Sequence, residues 1–238
     1  MYYPHIAFKT PDRETVIWRY LSLPKFLSFL NSSSLYFARS DQFYDNKEGR
    51  LSEMDKKLFD SFAPGISNRI EQGGVGCFFV QCWVMNPEEL FLMWETYSSL
   101  EEGIAIKSTV GQLIDSLDSK DERKIIISDV SYKNYSKDYT FDKAGGFANL
   151  LAPLFCKRTY FCQEMELRLV YHDYNMSPLD NVKGVNFEVD LNKLIDSVWV
   201  APNVVEWYID VINKEMQIHG INKPLNCSGI GKSMSNNA

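Results

Sequence analysis

A chain of 238 residues with 45% hydrophobic and 24% charged residues can bury about 70–75% of its unfolded surface, so its core needs no disulfide or metal staples. A net charge of −6 and a pI near 5.2 exclude broad, nonspecific attraction to nucleic acid or anionic membrane, which depends on clustered Lys and Arg. No apolar run approaches the ~20 residues that span a bilayer, and the first residues, MYYPHIAFKTPDRE, lack the pattern of a signal peptide.

Five cysteines form no CxxC pair and three histidines lie far apart, which speaks for reduced thiols and against a zinc site. These features predict a cytoplasmic protein. No internal repeat or linker interrupts the chain, so the expectation is a single domain over residues 1–228 with a flexible C-terminal tail over 229–238. Aromatic residues reach 14%, a composition suited to aromatic-walled clefts as well as to core.

In chain order, TVIWRYLS (15–22) reads as a first strand. SLPKFLSFLNSS follows as a short helix, with Ser22 as cap, Pro24 in the first turn and Phe26, Leu27 and Leu30 inward. SLYFARS (34–40) is a second strand running into the polar loop DQFYDNKEG. A helix over 51–62, a Gly-rich loop and the nearly continuous apolar strand VGCFFVQCWV (75–84) come next, the last of these in the position of a central strand. NPEELFLMWETY carries Asn86 as cap, Pro87 at the first helical position and Glu89 three after the cap, the signature of a helix start.

Strand GIAIKS, a short helix over 110–117 and strand KIIISDVSY lead to a helical stretch over 141–155. YFCQEMELRLV then reads as a strand whose one side holds Phe161, Gln163, Met165, Leu167 and Leu169, and whose other side holds Cys162, Glu164, Glu166, Arg168 and Val170. Strands GVNFEVD and SVWVAP precede a last helix over 204–219. That helix starts at Asn203, buries Val205, Tyr208, Ile212 and Met216, and stops at Gly220. The elements interleave without the even alternation of a doubly wound sheet. The predicted class is α+β, a mixed and mostly antiparallel central sheet with flanking helices.

Several residues carry chemistry. GIGKS (229–233) has the end of a phosphate-binding loop but not its upstream glycine, since residue 226 is Asn226, and too little chain follows for the required helix. Asp45 and Glu48 in the loop, read alone, are ordinary surface charges. Glu164, Glu166 and Arg168 on one strand face are either a half-exposed ion-pair row or the wall of a pocket. Cys162 and Val170 bracket them, CKR precedes them and Tyr160 adjoins them, so the expectation is a pocket with a carboxylate of raised proton affinity. Arg19 on the first strand is a surface charge or a fork for phosphate or carboxylate. Trp94 and Tyr97 share one helix face, the usual mark of core packing.

The ordered set WRYLS, SLYFARSDQFYDNKEG, GCFFVQCW, MWETYSSLEEGIAI, CKRTYFCQEMELRLV and VWVAPNVVEWYIDVI resembles the bacterial domain-of-unknown-function 2971 family over residues 16–220. The resemblance places the family pattern on Arg19, Tyr20, Phe43, Asp45, Glu48, Trp94, Tyr97, Gly103, Lys157, Glu164, Glu166 and Arg168. Tyr44 and Asn46 depart from the family's commoner loop.

The order of parts is also similar to that of ADP-ribosyltransferases, although no Ser-Thr-Ser motif follows the second strand. That likeness implies NAD as cofactor. It implies Arg19, Tyr20, Tyr36, Trp94 and Tyr97 as its binding residues, and Glu166 as the catalytic carboxylate with Glu164 and Arg168 beside it. Asp45, Glu48 and Lys157 form a further candidate site, and no metal is implied. The acceptor implied is a macromolecule, modified in defence or toxicity. Two other functions fit the same residues: a Mg²⁺- or Mn²⁺-dependent nuclease or hydrolase using Asp45, Glu48, Glu164 and Glu166, and a binding module without chemistry using Arg19, Trp94 and Tyr97.

Overall fold

The computed structural model describes residues 1–74, 77–141, 151–177 and 180–230. The chain is α+β, as expected, with a sheet that is mostly antiparallel. It divides into two compact units, each assembled from three separate segments: Met1–Pro11, Tyr36–Cys82 and Ser119–Asn186 form one, and Asp12–Leu35, Trp83–Asp118 and Phe187–Ala238 the other.

In the second of these units, β1 (Val16–Ser22) lies antiparallel to β4 (Gly103–Thr109) in register Arg19 to Ile106, and β10 (Ser197–Val200) continues on the far side of β4. β11 (Leu225–Cys227), a strand that the sequence did not announce, adds in parallel to β10. Helix α1 (Leu23–Ser32) starts with Pro in its first turn as predicted, although Phe29 rather than Leu27 joins Phe26 and Leu30 in its buried face. Gly103, expected from the family pattern, is required sterically: a Cβ there would collide with the Ser99 carbonyl.

Two helix starts in this unit differ from expectation. α4 (Phe91–Tyr97) begins five residues after Asn86, because the Glu89 carboxylate accepts the Trp94 indole N–H at 2.9 Å instead of closing a capping box. α5 (Val110–Ser116) does close one, through Thr109 and Gln112, and α6 (Leu191–Leu194) is capped by Asp190. α7 (Glu206–Ile218) starts after Val205, which is half exposed rather than buried, and ends before Gly220 at φ +66°. Tyr208, Ile212 and Met216 form its buried face as predicted.

In the first unit, the early residues of β3 (Phe78–Met85) pair with β2 (Ser34–Arg39), β3 also pairs with β8 (Glu166–His172), and β8 pairs antiparallel with β5 (Ile125–Asp129). β9 (Gly184–Glu188) borders β2, and β6 (Ser131–Lys133) runs parallel to β7 (Cys156–Arg158) as a separate ribbon. Phe78, Val80, Ile126, Leu154, Phe155 and Val170 make the apolar core, with Phe43 packed against it.

Helix α2 (Glu53–Phe62) has a complete capping box between Ser52 and Asp55. The Gly-rich loop expected after it is largely helix α3 (Ile66–Gly74), whose start is tied down where Asp60 accepts both the N–H and the hydroxyl of Ser67. Of the helical stretch predicted over 141–155, residues 142–150 lie outside the described residues, and Ala152–Phe155 form a 3-10 turn. The tail residues 231–238 also lie outside them.

Candidate functional site

The predicted strand over 160–171 is two elements. Thr159–Glu164 form a 3-10 turn, Met165 takes a left-handed conformation at φ +43°, and only then does β8 begin. The alternation read from the sequence therefore holds from Glu166 onward, while Cys162 and Gln163 are exposed. Glu164 still arrives beside Glu166, because the left-handed residue reverses the chain between them. A β-branched side chain is strongly disfavoured in that conformation, and an unbranched Met tolerates it at some cost.

Glu164, Glu166 and Arg168 are buried, so their face is not a solvated row. β7 supplies Lys157, whose ammonium donates to Glu164 Oε2 at 2.6 Å and to Glu166 Oε1 at 2.9 Å and lies 3.5 Å from Glu48 Oε1. Arg168, fully enclosed, donates from Nε to Glu166 Oε2 at 2.7 Å, from Nη1 to the Leu154 carbonyl at 2.8 Å and from Nη2 to Glu48. Its guanidinium stands 5.1 Å from the centre of the Phe43 ring, and Lys157 stands 4.8 Å from that of Phe161. The Glu166 backbone N–H donates to the Tyr132 hydroxyl at 2.9 Å.

Next to this cluster, Arg158 holds Asp45 in a bidentate pair with both bonds at 2.9 Å. Asp45 and Glu48 are thus not ordinary surface charges: they are 6% and 8% exposed and are met by Arg158, and by Arg168 and Lys157. Arg158 and Tyr132 are the participants that sequence reading missed. CKR showed the charge of Arg158 but not its partner.

With three carboxylates facing two cations, full ionisation leaves one negative charge in excess, and the cluster distributes it unevenly. Burial, and then the hydrogen bond to Glu166, raises the proton affinity of Glu164 above the ordinary carboxylate range. Burial alone would raise Glu166 too, but Arg168 and Lys157 hold it well below that range. Cys82 nearby is pushed up to about 12 by burial and by Glu166, which leaves its thiol protonated and unreactive.

Tyr36 is in the same unit as this cluster, 45% exposed, with its ring laid over Gly184. Arg19, Tyr20, Trp94 and Tyr97 belong to the other unit. There Trp94 is completely buried and edge-on to Tyr20 at 5.0 Å between ring centres, and the Tyr20 hydroxyl accepts the Leu90 N–H at 2.9 Å. Both rings are packed in the interior, and Tyr97 is 42% exposed.

Among the described residues no group of three or more His, Cys, Asp or Glu side chains is arranged to hold a metal ion. Lys157 and Arg168 stand among these carboxylates as their ion-pair partners. Among the described residues no helix is long and apolar enough to cross a membrane.

No family model matches the chain, so the resemblance to the domain-of-unknown-function family rests on the ordered motifs alone, and no curated protein matches it either. Solved structures of the DarT of Thermus sp. 2.9 are similar in fold at a TM-score of 0.42. The complex with ADP-ribosylated ssDNA is 11% identical and covers 93% of this chain and 97% of that one. The NAD+ and carba-NAD+ complexes are 11% and 10% identical, each covering 92% of this chain and 97% of the other.

Proposed function

We propose that the chain is an ADP-ribosyltransferase-like enzyme that transfers an ADP-ribosyl group from NAD to a macromolecular acceptor at the Glu164–Glu166 pair. The observation that carries the reading is the buried carboxylate pair itself: Glu164 and Glu166 share the Lys157 ammonium at 2.6 and 2.9 Å, and Arg168 donates to Glu166 at 2.7 Å. The sequence order Glu164-Met165-Glu166, an E-x-E spacing of the kind found on the late strand of ADP-ribosyltransferases, supports the same assignment.

The chemistry follows from the charges. The N-glycosidic bond of the donor breaks, nicotinamide leaves with the electron pair, and C1′ of the ribose gains oxocarbenium character. A carboxylate held ionised in a water-poor site stabilises that cation far better than the same group in water, and this is the role of Glu166. Attack by the acceptor nucleophile forms the new bond at C1′, and its proton passes to Glu164, whose raised affinity brings it nearer to neutral pH than an ordinary carboxylate. Lys157 and Arg168 fix the orientation of both.

A second reading is favoured by the completeness of the ion pairing: the cluster locks the 43–50 loop and β7 to β8 and does no chemistry. Glu166→Gln separates the two readings. It leaves Glu48 and Glu164 facing Lys157 and Arg168 in charge balance, so the fold persists under either. Transferase chemistry predicts loss of nicotinamide release of about 10²–10³-fold in this variant. A purely structural cluster predicts no such release from either protein.

A further inference from the structure

Beyond the carboxylate pair, and resting on different side chains, the first unit holds a cavity of about 260 Å³ lined by Lys47, Glu53, Lys133, Asn134, Arg158 and Tyr160, among others. Two of its cations lie side by side: Lys133 and Arg158 are register partners on the parallel strands β6 and β7. Lys133 has no carboxylate within ion-pair distance among the described residues. Lys47 reaches Glu53 only at 4.0 Å, with both side chains about half exposed.

Arg158 is held in place. Its Nε and Nη2 are spent on the deeply buried Asp45, which fixes the guanidinium while its side chain remains 34% exposed at the cavity. Counting Glu53 at the rim and Asp45 behind, the lining keeps one positive charge in excess. Tyr160, 84% exposed, stands with its ring centre 5.7 Å from the Arg158 guanidinium carbon. An exposed aromatic ring beside a fixed guanidinium and an unpaired lysine is the chemistry that receives a phosphate group with a planar ring attached. The cavity lies just below the ~300–1,000 Å³ of drug-sized ligand sites, so it suits a phosphomonoester head and not a whole dinucleotide.

We infer that this cavity binds the phosphate of a small phosphomonoester such as a nucleoside monophosphate, with the phosphate between Lys133, Arg158 and Lys47 and the base on Tyr160. The inference does not depend on the transferase reading, because its readout is binding in the absence of NAD.

The test is calorimetric titration of the full chain with inorganic phosphate and with AMP, on the unaltered protein and on Lys133→Gln, Lys47→Gln and Tyr160→Ala. All three substitutions are at surface positions, and thermal melting checks that they fold. Binding of both probes, weakened about tenfold or more by Lys133→Gln, with AMP the tighter and its advantage removed by Tyr160→Ala, supports the site. Equal affinity for phosphate and AMP in the unaltered protein overturns the nucleotide part and leaves phosphate as the ligand. Absence of binding at millimolar concentration, or binding that both lysine variants leave unchanged, overturns the proposal.

Discussion

Removing Arg168 is predicted to be the most damaging single change in the charge cluster. Arg168→Met leaves Glu48 and Glu166 enclosed without their main cation, and breaking a buried pair by deleting one partner costs about 3–5 kcal/mol. Urea denaturation is expected to show a loss of that size, well above the effect of Glu166→Gln, which restores charge balance instead of disturbing it.

The two carboxylates also set opposite pH dependences. Glu166, held low, contributes stability that is present above the ordinary carboxylate range and is lost as pH falls through its folded value. Glu164, held high, contributes stability that is full below its unfolded value near 4.3 and is lost as pH rises through its folded one. Glutamine mimics the protonated acid. Glu164→Gln is therefore expected to compare progressively better with the unaltered protein as pH rises from 5 to 8 in urea midpoints. A difference that stays constant with pH would show that Glu164 does not titrate abnormally.

At the scale of elements, the turn before β8 decides whether the pair forms. Met165 at φ +43° brings Glu164 back beside Glu166, and Met165→Val asks a β-branched residue to take a conformation that costs about 1–2 kcal/mol even for ordinary side chains. Met165 already bears that cost, so the variant is expected to be less stable in denaturant melts by the additional cost of β-branching, with Glu164 drawn out of reach of Lys157.

This turn is also where the sequence was hardest to read. Period-two alternation correctly put Glu164, Glu166 and Arg168 together, but for the wrong reason, since Glu164 precedes the strand and reaches the same place through a reversal that no pattern of apolar residues encodes. The burial of Asp45 and Glu48 was illegible for a related reason. A carboxylate in a polar loop looks solvated until a cation from a distant segment is known to meet it, and Arg158 lies 113 residues away from Asp45. Helix starts failed where a cap candidate was engaged elsewhere, as Glu89 is with the Trp94 indole.

At the scale of the molecule, the α+β class and the mostly antiparallel sheet were legible because strand and helix periods alternate irregularly along the chain. The division into two units was not, since each gathers three segments and no linker marks the crossings at β2, β3 and β9. Of the cofactor residues suggested by resemblance, Arg19, Tyr20, Trp94 and Tyr97 belong to one unit, and Tyr36 with the carboxylates to the other. Of these, the enclosed Trp94 and Tyr20 rings are accounted for by packing alone.

The central claim, that Glu166 stabilises a ribosyl cation formed from NAD, is tested most directly by timing nicotinamide release from NAD by the full chain and by Glu166→Gln at matched melting temperature. Release by the unaltered protein that falls about 10²–10³-fold in the variant is the predicted result. Release that is undiminished in a folded Glu166→Gln protein, or absent from the unaltered protein, would contradict it.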